Sequence, residues 1–269
     1  RFTGCAYVHL RFKLTGNNKK TESPFAQQVP TRLTIVGEGI PCYDPRQDST
    51  QPGGSGSHRA NNQATWTYGT HARNVACQWA TWLLGWRIQN PQSGAWKLSV
   101  GCGIEPDRID WQSVIDGANL CDEPVALAAG GTEPRYRGDG LFDESQGPLR
   151  INDAFKATMN ADVDDQDGLI RLTVFHNDLA TPDADFDTSD VQGDYVWLQT
   201  RPPHESFNLV RGTYIEPDPR SLYQPAPYRE ISIPAAGVKE RVHPADFGHV
   251  QRKGQAGRLD TKTIQPQLY

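Results

Sequence analysis

The densest group of chemically capable side chains is acidic. Asp162, Asp164, Asp165, Asp167, Asp178, Asp183, Asp185, Asp187, Asp190 and Asp194 share one stretch in which Arg171 is the only Lys or Arg. Calcium needs several oxygen ligands converging from a tight loop. A calcium loop begun at Asp162 would put Asp167 where glycine is required and Thr173 where a bidentate glutamate is required. The calcium reading therefore fails on residue type. The Asp165-Gln166-Asp167-Gly168 run between two extended segments predicts a hairpin turn instead.

Other chemistries leave equally thin traces. The seven histidines, including His58, His71, His176 and His204, lack metal-ligand spacing. No Gly-x-Ser-x-Gly elbow occurs, and Gly37-Glu38-Gly39 does not continue as a dinucleotide fingerprint. Arg137-Gly138-Asp139 spells an adhesion tripeptide, which we read as a chance match within a strand-turn segment. Paired carboxylates for glycoside hydrolysis need a set separation that a linear sequence does not disclose. Trp66, Trp79, Trp82, Trp86, Trp96, Trp111 and Trp197 could stack on sugars, although packing is the commoner use of tryptophan. A glycan hydrolase or sugar-binding module, using surface carboxylates and tryptophans, is therefore the alternative reading. A calcium-stabilised adhesin is a more distant one. The residues suggest no catalytic group, cofactor or metal.

The totals narrow the class further. A net charge of -5 supplies no basic field for nucleic acid or an anionic membrane, so no direct nucleic-acid binding is inferred. No apolar run approaches the length needed to cross a bilayer. The five cysteines, Cys5, Cys42, Cys77, Cys102 and Cys121, are scattered without a Cys-x-x-Cys pair. That pattern suits folding in a reducing cytoplasm, with Cys77 and Cys121 buried on helices as small apolar residues. A mean hydropathy of -0.64 with 25 glycines and 20 prolines is low for a lone globule and favours a subunit that completes its burial against neighbours. The first residues read like the middle of a strand, which suggests a longer parent chain.

Periodicity predicts a mixed α+β fold, with strands flanking about three helices. The alternation over residues 6–14 predicts a half-buried strand, and residues 33–36 a second. Residues 44–65, rich in Gly, Pro and Ser, predict an exposed, mobile loop. Helices are expected over 72–84, ending at Gly85, then from an Asp110 cap through Cys121, and from Pro148 to Met159. Strands follow at 169–175, 195–198, 207–215 and 229–233. A poor helix, weakened by Gly254 and Gly257, is expected from Pro244 onward. The expected divisions are a strand-rich segment 1–70, a helical segment 71–160 and a strand-rich segment 161–269.

Four segments, in order, resemble the hub proteins at the tip of long non-contractile phage tails. That family includes the host-specificity tail protein of lambda-like phages and its relatives in prophages and gene transfer agents. The first segment is Ile40-Pro41-Cys42-Tyr43-Asp44-Pro45-Arg46. The second is Ile104-Glu105-Pro106-Asp107-Arg108-Ile109-Asp110-Trp111, continuing to Ala118-Asn119-Leu120-Cys121-Asp122-Glu123. The third is Gly130-Gly131-Thr132-Glu133-Pro134-Arg135-Tyr136. The fourth is Phe207-Asn208-Leu209-Val210-Arg211-Gly212-Thr213-Tyr214, followed by Tyr223-Gln224-Pro225. The chain departs from the family at His71-Ala72-Arg73-Asn74, where an Asn-Pro is usual, at Gly138-Asp139, and in the loops 47–63 and 86–103.

The resemblance implies a structural component of the virion, without enzymatic activity, at the distal end of the tail. It would form a homotrimeric baseplate-like hub that closes the tail tube and takes part in host attachment and genome ejection. The family builds its ring from β-barrel tube domains, of which this chain would carry the middle and peripheral part. The implied partners are the distal tail protein, other tail tip proteins, the tape measure protein, and a central fibre or receptor-binding region.

Overall fold

Two capping side chains set the helical centre of the molecule. Asn74, fully buried, accepts the N–H groups of Ala76 and Cys77 and starts α1 (Val75–Leu84), which Gly85 ends with a positive φ of 78°. The expected start at residue 72 gives way because Thr70–Arg73 form a 3-10 turn ahead of the cap. Asp110 accepts the N–H groups of Gln112 and Ser113 and starts α2 (Trp111–Asp122), as its sequence predicts. The third helix, α3 (Pro148–Met159), likewise covers the expected residues, and Asn160 in the left-handed region closes it.

The computed structural model describes residues 7–12, 35, 37, 39–127, 130–176, 187, 189–190, 193, 207–216, 224–227, 231–232, 242–247 and 249–264. Among these the fold is mixed α+β, with four helices and several small sheets, none closed into a barrel. Two hairpins flank α2 in sequence: β1 (Trp86–Gln89) with β2 (Trp96–Val100), and β3 (Pro124–Ala126) with β4 (Thr132–Pro134). A third pairs β5 (Ala161–Gln166) with β6 (Leu169–Val174). Its turn is the predicted one, with Asp167 and Gly168 both at positive φ (55° and 82°), as a type I′ turn requires. The largest sheet centres on β7 (Leu209–Ile215), which pairs antiparallel with β8 (Pro225–Pro227) and β9 (Ile231–Ser232) and parallel with β10 (Val242–Phe247). The fourth helix, α4 (Lys253–Ile264), follows.

Packing ties these pieces into one core running from Tyr43 to Leu259. Trp79, Val114 and Met159 are completely buried, one from each of α1, α2 and α3. Each such side chain stabilises the fold by roughly 1.5–3 kcal/mol or more. The Asn74 amide donates to the Ala118 carbonyl at 2.9 Å and joins α1 to α2. On its other side α2 lies against β6, where the Ser113 hydroxyl accepts the Leu172 N–H at 3.1 Å. Gly117 permits this approach, because a Cβ there would stand 3.0 Å from the Leu172 side chain.

Several expectations are corrected. Residues 7–12 form no strand, and Tyr7, Val8 and Leu10 are exposed; alternation supplies two faces, but a strand also needs a ladder. Residues 44–65 are no loose exposed loop. Asp44, Asp48 and His58 are buried there, and a Cβ on Gly54 would meet the Asp48 carbonyl oxygen at 2.2 Å. Pro244 lies inside β10, opposite Arg211, not in a helix. The helix starts at Lys253 and carries both Gly254 and Gly257, since burial of Ala256 and Leu259 outweighs their poor propensity. The strand expected at 195–198, most of 33–36, and Asp178, Asp183, Asp185 and Asp194 lie outside the described residues.

Candidate functional site

The first and second of the four segments meet in a buried polar junction. Asp44 caps the 3-10 turn Pro45–Gln47, and its 2% exposure leaves it dependent on protein partners. Its Oδ1 accepts from the Arg46 N–H at 3.0 Å and from Arg46 Nε at 2.9 Å, while Oδ2 accepts from Arg46 Nη2 at 2.9 Å and Gln47 Nε2 at 3.2 Å. This is a two-toothed guanidinium–carboxylate pair, the strongest form of such a contact. Burial alone would raise the Asp44 pKa; the hydrogen bonds and charge of Arg46, with Gln47, outweigh it and hold the carboxyl below its usual range.

Arg46 then reaches across to α2. Its Nη1 donates to Asp122 Oδ2 at 2.8 Å, and Asp122 Oδ1 lies 2.6 Å from Arg137 Nη1. Arg137 is held in turn by Gln255 of α4, which accepts the Arg137 N–H at 2.9 Å and donates to its carbonyl at 3.0 Å. The third segment continues the chain of contacts. Arg135 Nε donates to Glu123 at 2.9 Å, and Arg258 Nη1 donates to Glu133 at 2.7 Å. Anions and cations alternate through the junction, so few charges stand uncompensated.

A second layer surrounds the turn. Asp48, with no exposed surface, accepts from the Tyr43 hydroxyl at 2.8 Å, from the Thr50 N–H and hydroxyl at 2.9 and 2.7 Å, and from Arg59 at 3.1 Å. Burial would raise this carboxyl too, and the Thr50, Tyr43 and Arg59 partners lower it overall. The Tyr43 N–H donates to the Thr81 hydroxyl of α1 at 2.9 Å, and its ring meets Trp111 edge-on at 5.2 Å.

The remaining segment residues act elsewhere. Pro45 occupies the first position of its turn, where the missing N–H costs nothing. Arg108 Nε donates to the Gly168 carbonyl, fastening the entry to α2 onto the third hairpin. Asp110 caps α2, Trp111 packs in the core, and Cys121 is buried. Gly131 has a positive φ of 83° in the turn before β4, and Pro134 ends that strand. In the fourth segment Tyr214 enters the core, Gly212 and Arg211 pair with Ala245 and Pro244, and Asn208 stands just before β7. These four do not join the junction around Arg46.

Sequence reasoning missed Asp48, His58, His71 and Gln255, whose only signal is polarity in segments that look solvated. It also passed over Arg137: the guanidinium is buried, and Asp139 pairs with Arg73 at 2.7 Å, so the tripeptide is not presented for adhesion. Trp66, Trp79 and Trp111 are buried, Trp82 and Trp86 pack against the core, and Trp96 is the exposed tryptophan among the described residues. Among the described residues the tryptophans form no stacking platform for a sugar. Among the described residues no three His, Cys, Asp or Glu side chains group as metal ligands would.

Beside the junction lies a cleft of about 770 Å³, lined by Cys42, Tyr68, Val75, Trp82, Leu141 and Phe142 among others. Its rim leaves Tyr68 54% and Leu141 88% exposed. The arrangement as a whole can hold elements in register and offer apolar surface. Compared with protein-family models and with curated proteins, the chain matches none.

Proposed function

We propose that this chain is a structural part of the tail tip hub of a long, flexible-tailed bacteriophage. In this reading it contributes to a homotrimer at the distal end of the tail, closes the tube, and takes part in host attachment and genome ejection. Its neighbours are the distal tail protein, other tip proteins, the tape measure protein and a central fibre or receptor-binding region. It works mechanically and carries no catalytic group.

The observation that supports this best is the contact between Arg46 and Asp122. The segments that resemble the hub family are far apart in sequence, yet the first three are linked side chain to side chain: Arg46 to Asp122, and Glu123 to Arg135. Residues used to brace elements suit a protein whose task is to hold shape and transmit displacement. Exposed apolar side chains around the cleft, with Trp96 on its hairpin, suit a chain that packs against partners.

The test is electron microscopy of virus particles labelled with antibodies raised against this chain. Label confined to the distal end of the tail, in threefold copies, is the expected result. Label on the capsid or along the tail shaft overturns the proposal, as does cleavage of cell-wall or capsular polysaccharide by the purified protein.

A further inference from the structure

Two buried histidines stand behind the Asp44 turn, and their hydrogen bonds dictate their protonation. His58 is 2% exposed and His71 is 7% exposed, with ring centroids 5.4 Å apart. His58 Nδ1 lies 3.1 Å from the Asp44 backbone N–H, a group that can only donate, so this nitrogen must be bare. The proton therefore sits on Nε2, which faces the Thr67 hydroxyl at 3.0 Å. His71 Nε2 lies 2.9 Å from the Thr67 carbonyl, a group that can only accept, so this nitrogen carries the proton. His71 Nδ1 then faces Gln47 Nε2 at 3.3 Å. The Gln47 amide cannot be turned round, because its nitrogen also donates to the Asp44 carboxylate.

Both rings are thus neutral, each with one bare nitrogen facing an N–H donor. A second proton on His58 would set N–H against N–H. We propose that His58 and His71 form a proton-operated lock on residues 43–67: neutral, they clamp the Asp44 turn to the Thr67 strand-like segment and the Thr70–Arg73 turn, and protonation of His58 releases that clamp.

The surrounding charges do not rescue the imidazolium. Asp44 and Asp48 face His58 from the turn and favour a charged ring. Their oxygens, however, are already taken by Arg46, Gln47, Tyr43, Thr50 and Arg59. Arg59 sets its guanidinium on the His58 carbonyl, and His71 faces the His58 ring from the next turn. The Tyr43 ring lies 6.2 Å away, and its hydroxyl is directed at Asp48. Burial first, and His71 second, lower the His58 pKa below its ordinary value of 6.5. A histidine whose folded pKa is depressed takes up a proton on unfolding. Its stabilisation is complete above about pH 6.5 and shrinks as the pH falls toward the folded value. This inference stands on the junction's geometry and does not depend on the tail-hub reading.

The experiment has two readouts on the unaltered chain. Nitrogen chemical shifts at pH 7.5 should show both rings with the proton on Nε2. Amide hydrogen exchange, corrected for its intrinsic pH dependence, should then quicken about tenfold for residues 43–67 between pH 7.5 and 5.5, while α3 keeps its protection. His58→Asn, whose amide oxygen can still accept the Asp44 N–H but does not titrate, should remove that pH dependence. Either ring in the other tautomer overturns the proposal. So does unchanged protection of residues 43–67 at pH 5.5, or a His58 that protonates without loosening them.

Discussion

Arg46 and Asp122 are 76 residues apart in the chain and 2.8 Å apart in space. Around this contact the turn that closes the first motif segment is joined to the last turn of α2. Because Arg46 also grips the buried Asp44 with two hydrogen bonds, one guanidinium serves a local and a distant carboxylate together.

Removing that guanidinium should be costly in an uneven way. Arg46→Met leaves Asp44 charged and buried, and a loss of about 3–5 kcal/mol is expected in urea unfolding. Asp122→Asn removes a more exposed partner, so its loss should be smaller, about 1–2 kcal/mol. The double variant should cost less than the sum of the two, which a double-mutant cycle measures. Full additivity would show that Arg46 and Asp122 do not interact.

Asn74→Ala removes a helix cap and an inter-helix tie at once. Its Oδ1 accepts two α1 amides, and its Nδ2 donates to the Ala118 carbonyl. A loss of about 2–4 kcal/mol is expected, seen as a lowered Tm. Asn74→Asp, which keeps the cap but not the donor, should recover only part of it.

The glycine-rich stretch should behave as packed backbone. Gly54→Ala drives a Cβ against the Asp48 carbonyl, and Gly56→Ala drives one to within 2.5 Å of the Gln47 carbonyl at a positive φ. Each should destabilise by more than about 1 kcal/mol, whereas Gly37→Ala, in open space, should change unfolding by less than about 0.5 kcal/mol. Equal tolerance at all three positions would mean that residues 44–65 are loose after all.

Acid should weaken the fold in a second, lower window. Asp44 and Asp48 have folded pKa values below the ordinary carboxylate value, so the unfolded chain binds more protons. Their stabilisation is full above about pH 4 and is lost as the pH falls through the folded values. Urea midpoints from pH 5 to pH 2.5 should trace this loss. The curve should be shallower in Arg46→Met, where Asp44 no longer has the partner that lowers it.

The buried thiols should be inert while the chain is folded. Burial pushes the Cys42 thiol up to about 11 and the Cys121 thiol up to about 12, against smaller opposing contacts. At pH 8 neither should be alkylated until denaturant is added, and mass spectrometry of peptides after timed iodoacetamide treatment reads this directly. Labelling of Cys121 in the native chain would contradict the placement of α2.

Helices α2 and α3 and the 166–169 turn were legible in the residues because their causes are local. A capping aspartate, a proline at the first position, an apolar stripe and an Asp-Gly pair act over a few bonds, whatever the rest of the chain does. The junction was not legible in the same way. Asp44, Asp48, His58 and Arg137 have the polarity of solvated residues, and their burial depends on partners such as Thr67, Asp122 and Gln255 that only folding brings near. The same holds for α4, whose glycines argue against a helix until Ala256 and Leu259 find a core to enter. Spacing along the chain decides which hydrogen bonds close within a turn; which buried charges can be tolerated is decided by what meets them in three dimensions, because a charge leaves water only when another group takes the water's place.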